Sequence, residues 1–252
     1  MSDPRPACVH VDLREHVAVI ELNRPGARNA INLAMATEFV AALAACQSAR
    51  CIVVTGADPA FCAGLDLRDL GTDRLADLPL FMDAVANSAV PTIAAVNGPA
   101  VTGGLEIALA CDFIVASERA RFADTHVRVG VYPGPVLVDL PRRVGMAKAR
   151  EMSMTGNFVD ADTALRIGLA NHVVPHDELL PFACELAAAI AEQDPAMIAG
   201  MRHDWDETGA LPIETAHRRH REIAREFGFT GVRSDSLQAN MASVVARAHR
   251  QR

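Results

Sequence analysis

The stretch Ala94-Ala-Val-Asn-Gly-Pro-Ala-Val-Thr-Gly-Gly-Leu-Glu-Ile-Ala-Leu-Ala-Cys-Asp112 leaves the chain few ways to fold. An apolar run, a Gly/Pro turn, paired glycines and a second apolar run read as a buried strand, a turn and a helix. Glu106 falls in the first turn of that helix. Glycine at a helix start lets a ligand approach the backbone closely. The first N–H groups of a helix have no internal partner and suit an oxygen that carries or develops negative charge. Gly103 therefore offers an anion-stabilising amide, and Glu106 a carboxyl group one turn away. The pairing suits proton transfer beside a polarised carbonyl. The helix dipole alone also favours an acid there, and paired glycines also serve tight helix–sheet packing.

Strand and helix signals alternate along the chain. Val17-Ala-Val-Ile-Glu-Leu22 reads as a strand, closed by the turn Asn23-Arg-Pro-Gly26. Asn32 reads as the cap of an amphipathic helix over 33–47. Further strands are expected at 51–55, 90–96, 113–116 and 170–174, and the alternation over 121–127 suggests another. The charged segment 68–89 reads as helix of low order near 71–73. Helices are expected over 136–144, 146–154 and 161–167, the last capped by Asp160. The sequence then reads as helical at 179–193, 196–205, 213–227 and 234–249. Strands alternating with helices point to parallel sheet in an α/β fold. The expected division is a core over 1–195 and a helical region over 196–252 that packs on the core or on another subunit.

Half of the residues are hydrophobic and 22% charged, enough for a sizeable core. The net charge of −7 argues against a general nucleic-acid binder. Six cysteines, none in a C-x-x-C pair, read as reduced thiols of a cytoplasmic protein. The first residues lack the apolar segment of a signal peptide, and no apolar run reaches the roughly 18 residues of a membrane span. The absence of Gly-x-Gly excludes a dinucleotide fingerprint, and the glycines at 98 and 103 lack the Lys and Ser/Thr of a phosphate loop. His172 and His176 are separated by helix-breaking Pro175, and His217 and His220 sit in arginine-rich sequence, so no metal is expected.

Two small-residue loops each follow a buried strand, one near 56–67 and one near 97–104. Neighbouring parallel strands bring their C-terminal ends together. One N–H from each loop, aimed at a single oxygen, makes an oxyanion hole. Each donor is worth about 2.7–4 kcal/mol in the transition state.

These loops, Phe61-Cys-Ala-Gly-Leu-Asp-Leu67 and Val96-Asn-Gly-Pro-Ala-Val-Thr-Gly-Gly-Leu-Glu106, resemble the enoyl-CoA hydratase/isomerase (crotonase) family. Arg24-Pro-Gly-Ala-Arg-Asn-Ala-Ile-Asn32, Met154-Thr-Gly156 and Gly168-Leu-Ala-Asn-His-Val-Val-Pro175 are similar to its other motifs, and the likeness spans about 9–205. The resemblance implies a crotonase-like spiral of ββα turns with a C-terminal helical region, assembled as a homotrimer or hexamer. It implies an acyl-CoA substrate, coenzyme A belonging to that substrate, and no separate cofactor, metal, membrane or nucleic-acid partner.

By position, the resemblance gives the oxyanion amides to Leu65 and Gly103. It places the thioester and pantetheine along Ala63, Gly64, Asp66, Leu67 and Arg68, with Gly104 beside them. Ala27 and Ala30 fall near the adenosine end, and Arg24, Arg28 and Arg68 are phosphate candidates. Asp66 and Asp112 also match recurrent structural positions. Glu106 matches the first of two hydratase glutamates, and His126 stands where the second is expected. A histidine can shuttle protons near neutrality. If 122–127 is extended, Asp124 shares its face and can orient it or act as the acid; a His126 that merely fills the pocket wall is the other reading. Tyr132, the only tyrosine, is a pocket-lining candidate. The implied activity is addition of water to a 2-enoyl-CoA. The alternatives are a 3-enoyl to 2-enoyl-CoA isomerase and a non-catalytic acyl-CoA binding protein.

Overall fold

The computed structural model of the chain describes residues 6–69, 78 and 81–228. It divides into a unit over 1–193 and a second unit over 194–252.

Two β-branched runs begin the first unit, β1 (Val9–Arg14) and β2 (Val17–Leu22), paired as an antiparallel hairpin. Then come α1 (Leu33–Ala45), β3 (Cys51–Gly56), α2 (Phe81–Ala86), β4 (Thr92–Val96), β5 (Pro99–Val101) and α3 (Gly103–Ala110). They are followed by β6 (Phe113–Ser117), β7 (Arg121–Ala123), α4 (His126–Val129), α5 (Val136–Val144) and α6 (Met146–Thr155). The unit closes with β8 (Val159–Asp160), α7 (Ala161–Arg166), β9 (His172–Val174) and α8 (Leu179–Ala191).

The larger sheet has the order β1-β2-β3-β4-β6-β9, parallel everywhere beyond the first hairpin. Every residue of β3 and β4 is buried, as expected of parallel strands covered on both faces. Alternation then sorts the side chains. Ala18, Ile20, Ile52, Val54, Ala94, Val96, Ile114 and Ala116 join α1 and α3 in the main core. Val17, Val19, Cys51, Val53, Ile93, Ala95 and Val115 pack instead with Leu179, Ala183, Ala187 and Ala191 of α8. Four-residue spacing puts those α8 residues on one stripe, and its alanines let the helix lie close to the sheet.

Between β4 and β5 the chain turns through Asn97-Gly98 into a second sheet, β5-β7-β8. A Cβ at Gly98 would lie 2.5 Å from the Pro59 carbonyl oxygen, so the turn needs glycine. This step from one sheet to the next gives the fold its ββα spiral.

The second unit carries α9 (Pro195–Thr208) and α10 (Ile213–Glu226), described as far as residue 228. Asp194 caps α9 through the Ala196 amide, and Pro195 occupies the first helical turn. Arg219 of α10 pairs with Glu207, Glu222 and Glu226. No described helix is long and apolar enough to cross a membrane.

Several expectations change in detail. β1, β5 and β8 are absent from the sequence reading. The strand expected over 121–127 stops at Ala123, and a short helix begins at His126. Strand 90–96 starts at Thr92, because Val90 precedes Pro91 and its carbonyl accepts from the Ser88 hydroxyl. Of the 68–89 segment, α2 covers 81–86; residues 71–73 and the helix expected at 234–249 lie outside the described residues.

Asn32 caps α1, its Oδ1 accepting from the Met35 amide at 3.0 Å. Asn32→Ala is expected to lower unfolding free energy by about 1 kcal/mol. Urea denaturation would show a lower midpoint at unchanged slope; an unchanged midpoint would mean that the cap contributes nothing.

Candidate active site

Two loops meet backbone to backbone. Cys62 N–H donates to the Pro99 carbonyl at 3.1 Å, and Val101 N–H donates to the Cys62 carbonyl at 2.9 Å. Glycines permit this approach. A Cβ at Gly104 would lie 2.1 Å from the Cys62 oxygen, and one at Gly64 would lie 1.9 Å from Thr102 Oγ1. Gly64 has φ +88°, and Thr102, just before α3, has φ 47° with ψ −112°. The latter is a strained conformation for a β-branched residue, of the kind that persists where surrounding structure enforces it.

On its other side the first loop pairs with the turn after β2. Ile31 N–H donates to the Gly64 carbonyl at 2.8 Å, and its carbonyl accepts from Asp66 N–H at 2.8 Å. In a parallel bridge of this kind the intervening residue turns its own N–H to the opposite side. The Leu65 amide therefore faces away from Ile31, and Gly103 lies close by: a Cβ on Gly103 would stand 3.8 Å from Leu65 N. Gly103 opens α3, and its N–H has no intrahelical acceptor. Neither amide donates a backbone hydrogen bond among the described residues. The two expected oxyanion donors are thus neighbours.

Glu106 is 5% exposed. Its Oε1 accepts from the Val136 amide at 3.3 Å, and a Cβ at Gly134 would lie 3.0 Å from the same oxygen. Burial raises its pKa above the usual carboxylate range, assisted by the charge of Asp124; the amides of Val136 and Gly134 and the charge of His126 oppose the rise. The loop before α5 therefore holds this carboxyl group in place, a contact that the sequence reading missed.

Asp124 is fully buried, and its Oδ1 lies 2.6 Å from His126 Nδ1. The two share a site, but by a different geometry from the one expected. Asp124 follows the end of β7, and His126 opens α4 and turns back to it. Burial would raise the Asp124 pKa, but hydrogen bonds from the His126 side chain and amide outweigh it and lower it. The Asp124 hydrogen bond raises the His126 pKa, against desolvation and with the help of Glu106 and Asp124 charge. With Nδ1 engaged, Nε2 is the nitrogen available for proton exchange. Glu106 and His126 each feel the other's charge, so the structure brings Glu106, Asp124 and His126 into one cluster.

The other expected residues are placed as follows. Ala63 N–H donates to the Arg28 carbonyl at 3.0 Å, joining the proposed thioester loop to the turn holding Ala27 and Ala30. Asp66 is held below the usual carboxylate range by Arg68 foremost, against burial and with Arg24 adding. Arg24 lies 3.2 Å from Asp66 and also donates to the Ala30 carbonyl, so it is engaged by the fold. Arg68 shares Asp66, but its side chain is 77% exposed; Arg28 and Leu67 are exposed as well. Tyr132 is 87% exposed on the loop between α4 and α5. Asp112 accepts from the Thr92 amide at 2.7 Å and ties α3 to β4.

The chain matches the enoyl-CoA hydratase/isomerase family model over residues 12–238. It is 43% identical over 190 residues to a probable enoyl-CoA hydratase of Rhizobium meliloti, covering 72% of this chain and 74% of that one. It is 34% identical over 233 residues to the probable peroxisomal enoyl-CoA hydratase 1 of Arabidopsis thaliana, covering 83% and 85%. The solved enoyl-CoA hydratase of Bacillus anthracis superposes with a TM-score of 0.85 at 30% identity, over 95% of this chain and 96% of that one. The chain belongs to the enoyl-CoA hydratase/isomerase family and has its crotonase fold. Its relatives support enoyl-CoA hydration as its activity.

Gly104→Ala is expected to destabilise the protein by roughly 1–3 kcal/mol, since the methyl meets rigid backbone. Gly26→Ala, with nothing within 4 Å, serves as the control. Equal unfolding midpoints for the two variants would contradict the tight loop contact.

Proposed function

We propose that Glu106 is the base and His126 the acid of a syn addition of water to a 2-enoyl-CoA. The observation carrying this reading is the buried Glu106 beside the 2.6 Å His126–Asp124 pair, next to two adjacent loop amides. Glu106 takes a proton from water as the water oxygen attacks C3. The alkene electron pair moves through C2 and C1 onto the thioester oxygen. The amides of Leu65 and Gly103 hold that oxyanion, preorganised by backbone pairing on both sides. His126, protonated and oriented by Asp124, delivers its Nε2 proton to C2. The product is a 3-hydroxyacyl-CoA, and exchange with solvent restores both groups.

The substrate stretches along Ala63, Gly64, Leu67, Arg68 and Gly104, its adenosine end near Ala27, Ala30 and Arg28. Asp66 serves by holding Arg24 and Arg68, and Tyr132 covers the acyl end from the α4–α5 loop. No cofactor is required beyond the coenzyme A of the substrate. The helices after residue 195 mediate a homotrimer or hexamer, a role supported by the exposed Met197, Met201, Trp205 and Ile213. None of the six cysteines forms a disulfide, which fits a reducing compartment such as the cytoplasm.

Glu106→Gln is expected to lower kcat by about 10²–10⁴-fold while sparing thioester binding, as the shape is kept and the base lost. Wild-type kcat/KM should rise with pH as Glu106 ionises, above 4.5, and fall as His126 loses its proton, above 6.5. Asp124→Asn removes the main cause of the His126 shift, so the alkaline limb should move to lower pH. Loss of conjugated-thioester absorbance measures all of these rates. An unmoved limb would remove Asp124 from the mechanism, and near-normal turnover by Glu106→Gln would remove Glu106.

For the assembly, Trp205→Glu is expected to reduce the mass seen by light scattering to that of a single chain. An unchanged mass would remove this face from the interface.

A further inference from the structure

We infer that Asn29 is a positioning residue for the oxyanion amide of Leu65. The inference rests on the role proposed above for that amide. Asn29 is fully buried in the turn between β2 and α1, with its backbone at φ 55°, in the left-handed region that asparagine tolerates. Its Oδ1 accepts from the Arg24 amide at 2.8 Å. Its Nδ2 donates to the Ala57 and Ala60 carbonyls, both at 2.7 Å. Both amide protons are thus engaged. Gly56 leaves room for the side chain: a Cβ there would lie 2.8 Å from Nδ2.

Those two carbonyls stand at the start of the loop that ends in Leu65. The backbone of the same turn grips the end of that loop. Arg28 accepts from Ala63, Ile31 donates to Gly64, and Ile31 accepts from Asp66. Leu65 lies within the last of these contacts with its N–H left over. The Asn29 side chain therefore fixes where the loop starts relative to the turn, and the turn backbone fixes which way Leu65 faces. Loss of the first lets the register of the second drift. Aspartate has the same shape and also tolerates this backbone, but its second oxygen would face two carbonyl oxygens.

The test compares wild type, Asn29→Asp and Asn32→Ala. Turnover is measured on a short 2-enoyl-CoA. Carbonyl polarisation is read by infrared difference spectra of bound butyryl-CoA, a saturated thioester that cannot be hydrated, labelled with carbon-13 at the carbonyl. Wild type is expected to shift the carbonyl stretch to lower frequency on binding. Asn29→Asp is expected to return the stretch toward its free value and to lower kcat about 10²-fold, with KM little changed. Asn32→Ala, which removes the α1 cap, should lower the melting temperature but leave both readings at wild type. Should the aspartate variant not fold, Asn29→Ser removes both donations without adding charge and should give the same readings. A wild-type carbonyl at its free frequency would overturn the oxyanion reading itself. A shifted wild type with an equally shifted Asn29 variant would overturn the positioning role alone, whether or not kcat falls.

Discussion

The contact on which this structure depends is the backbone meeting of two loops, Cys62 against Pro99 and Val101. The contact is an isolated parallel bridge, with Cys62 opposite Ala100. The chain makes it with glycine at 64, 98 and 104, each at a position where a Cβ would fall within 3.0 Å of another residue. The strain at Thr102 belongs to the same contact, since its N–H must reach the Ala123 carbonyl while its own carbonyl accepts from Glu106. A backbone conformation of this kind costs on the order of 1–3 kcal/mol. The bonds on either side offset that strain, and they bring two unused amides together at the mouth of the sheet.

Electrostatics divides the work among three titratable groups within one cluster. Glu106 is desolvated, with only weak amide support, so its proton is held more tightly than in water. Asp124 is also buried, yet the His126 side chain and amide favour its charge. The same burial thus yields opposite shifts because the hydrogen-bond partners differ. The hydrogen bond to Asp124 in turn raises the His126 pKa. In the proposed reaction these opposite environments suit Glu106 to take a proton and His126 to give one.

Much of this was legible in the sequence. Runs such as 51–55 and 92–96 are apolar on both faces, and only a strand covered on both sides tolerates that. Asn32 and Asp160 announced their helices, and each caps as expected. The grouping of Glu106 with His126 and Asp124 was an expectation of the family resemblance, not of any spacing or periodicity. What escaped was local and short. β1 alternates apolar and polar residues over Val9–Arg14, but the run is only six residues long and the sequence reading passed over it. β5 begins at Pro99 and is three residues long, which reads as a turn. The alternation of 121–127 breaks because Asp124 and His126 bond to each other, a side-chain choice that periodicity cannot register. Arg24 reads in the sequence as a phosphate candidate, yet it is drawn into Asp66, 42 positions away.

The distribution of these misses has a physical reason. Elements whose position depends on apolar burial are written redundantly, since many residues repeat the same period. Site geometry depends instead on single polar atoms, such as the Val136 amide on Glu106 or the Asn29 amide on two carbonyls. Each is one residue among neighbours of no special pattern, so no window of sequence amplifies it. Its partner lies about 30 residues away, beyond any local propensity. A mutation there changes little of the core and much of the angle at which a donor meets its acceptor. Hydrogen bonds weaken steeply with misalignment, and an oxyanion hole works through donors already aimed when charge develops. The contacts that set such angles are therefore the ones that leave the weakest trace in the sequence.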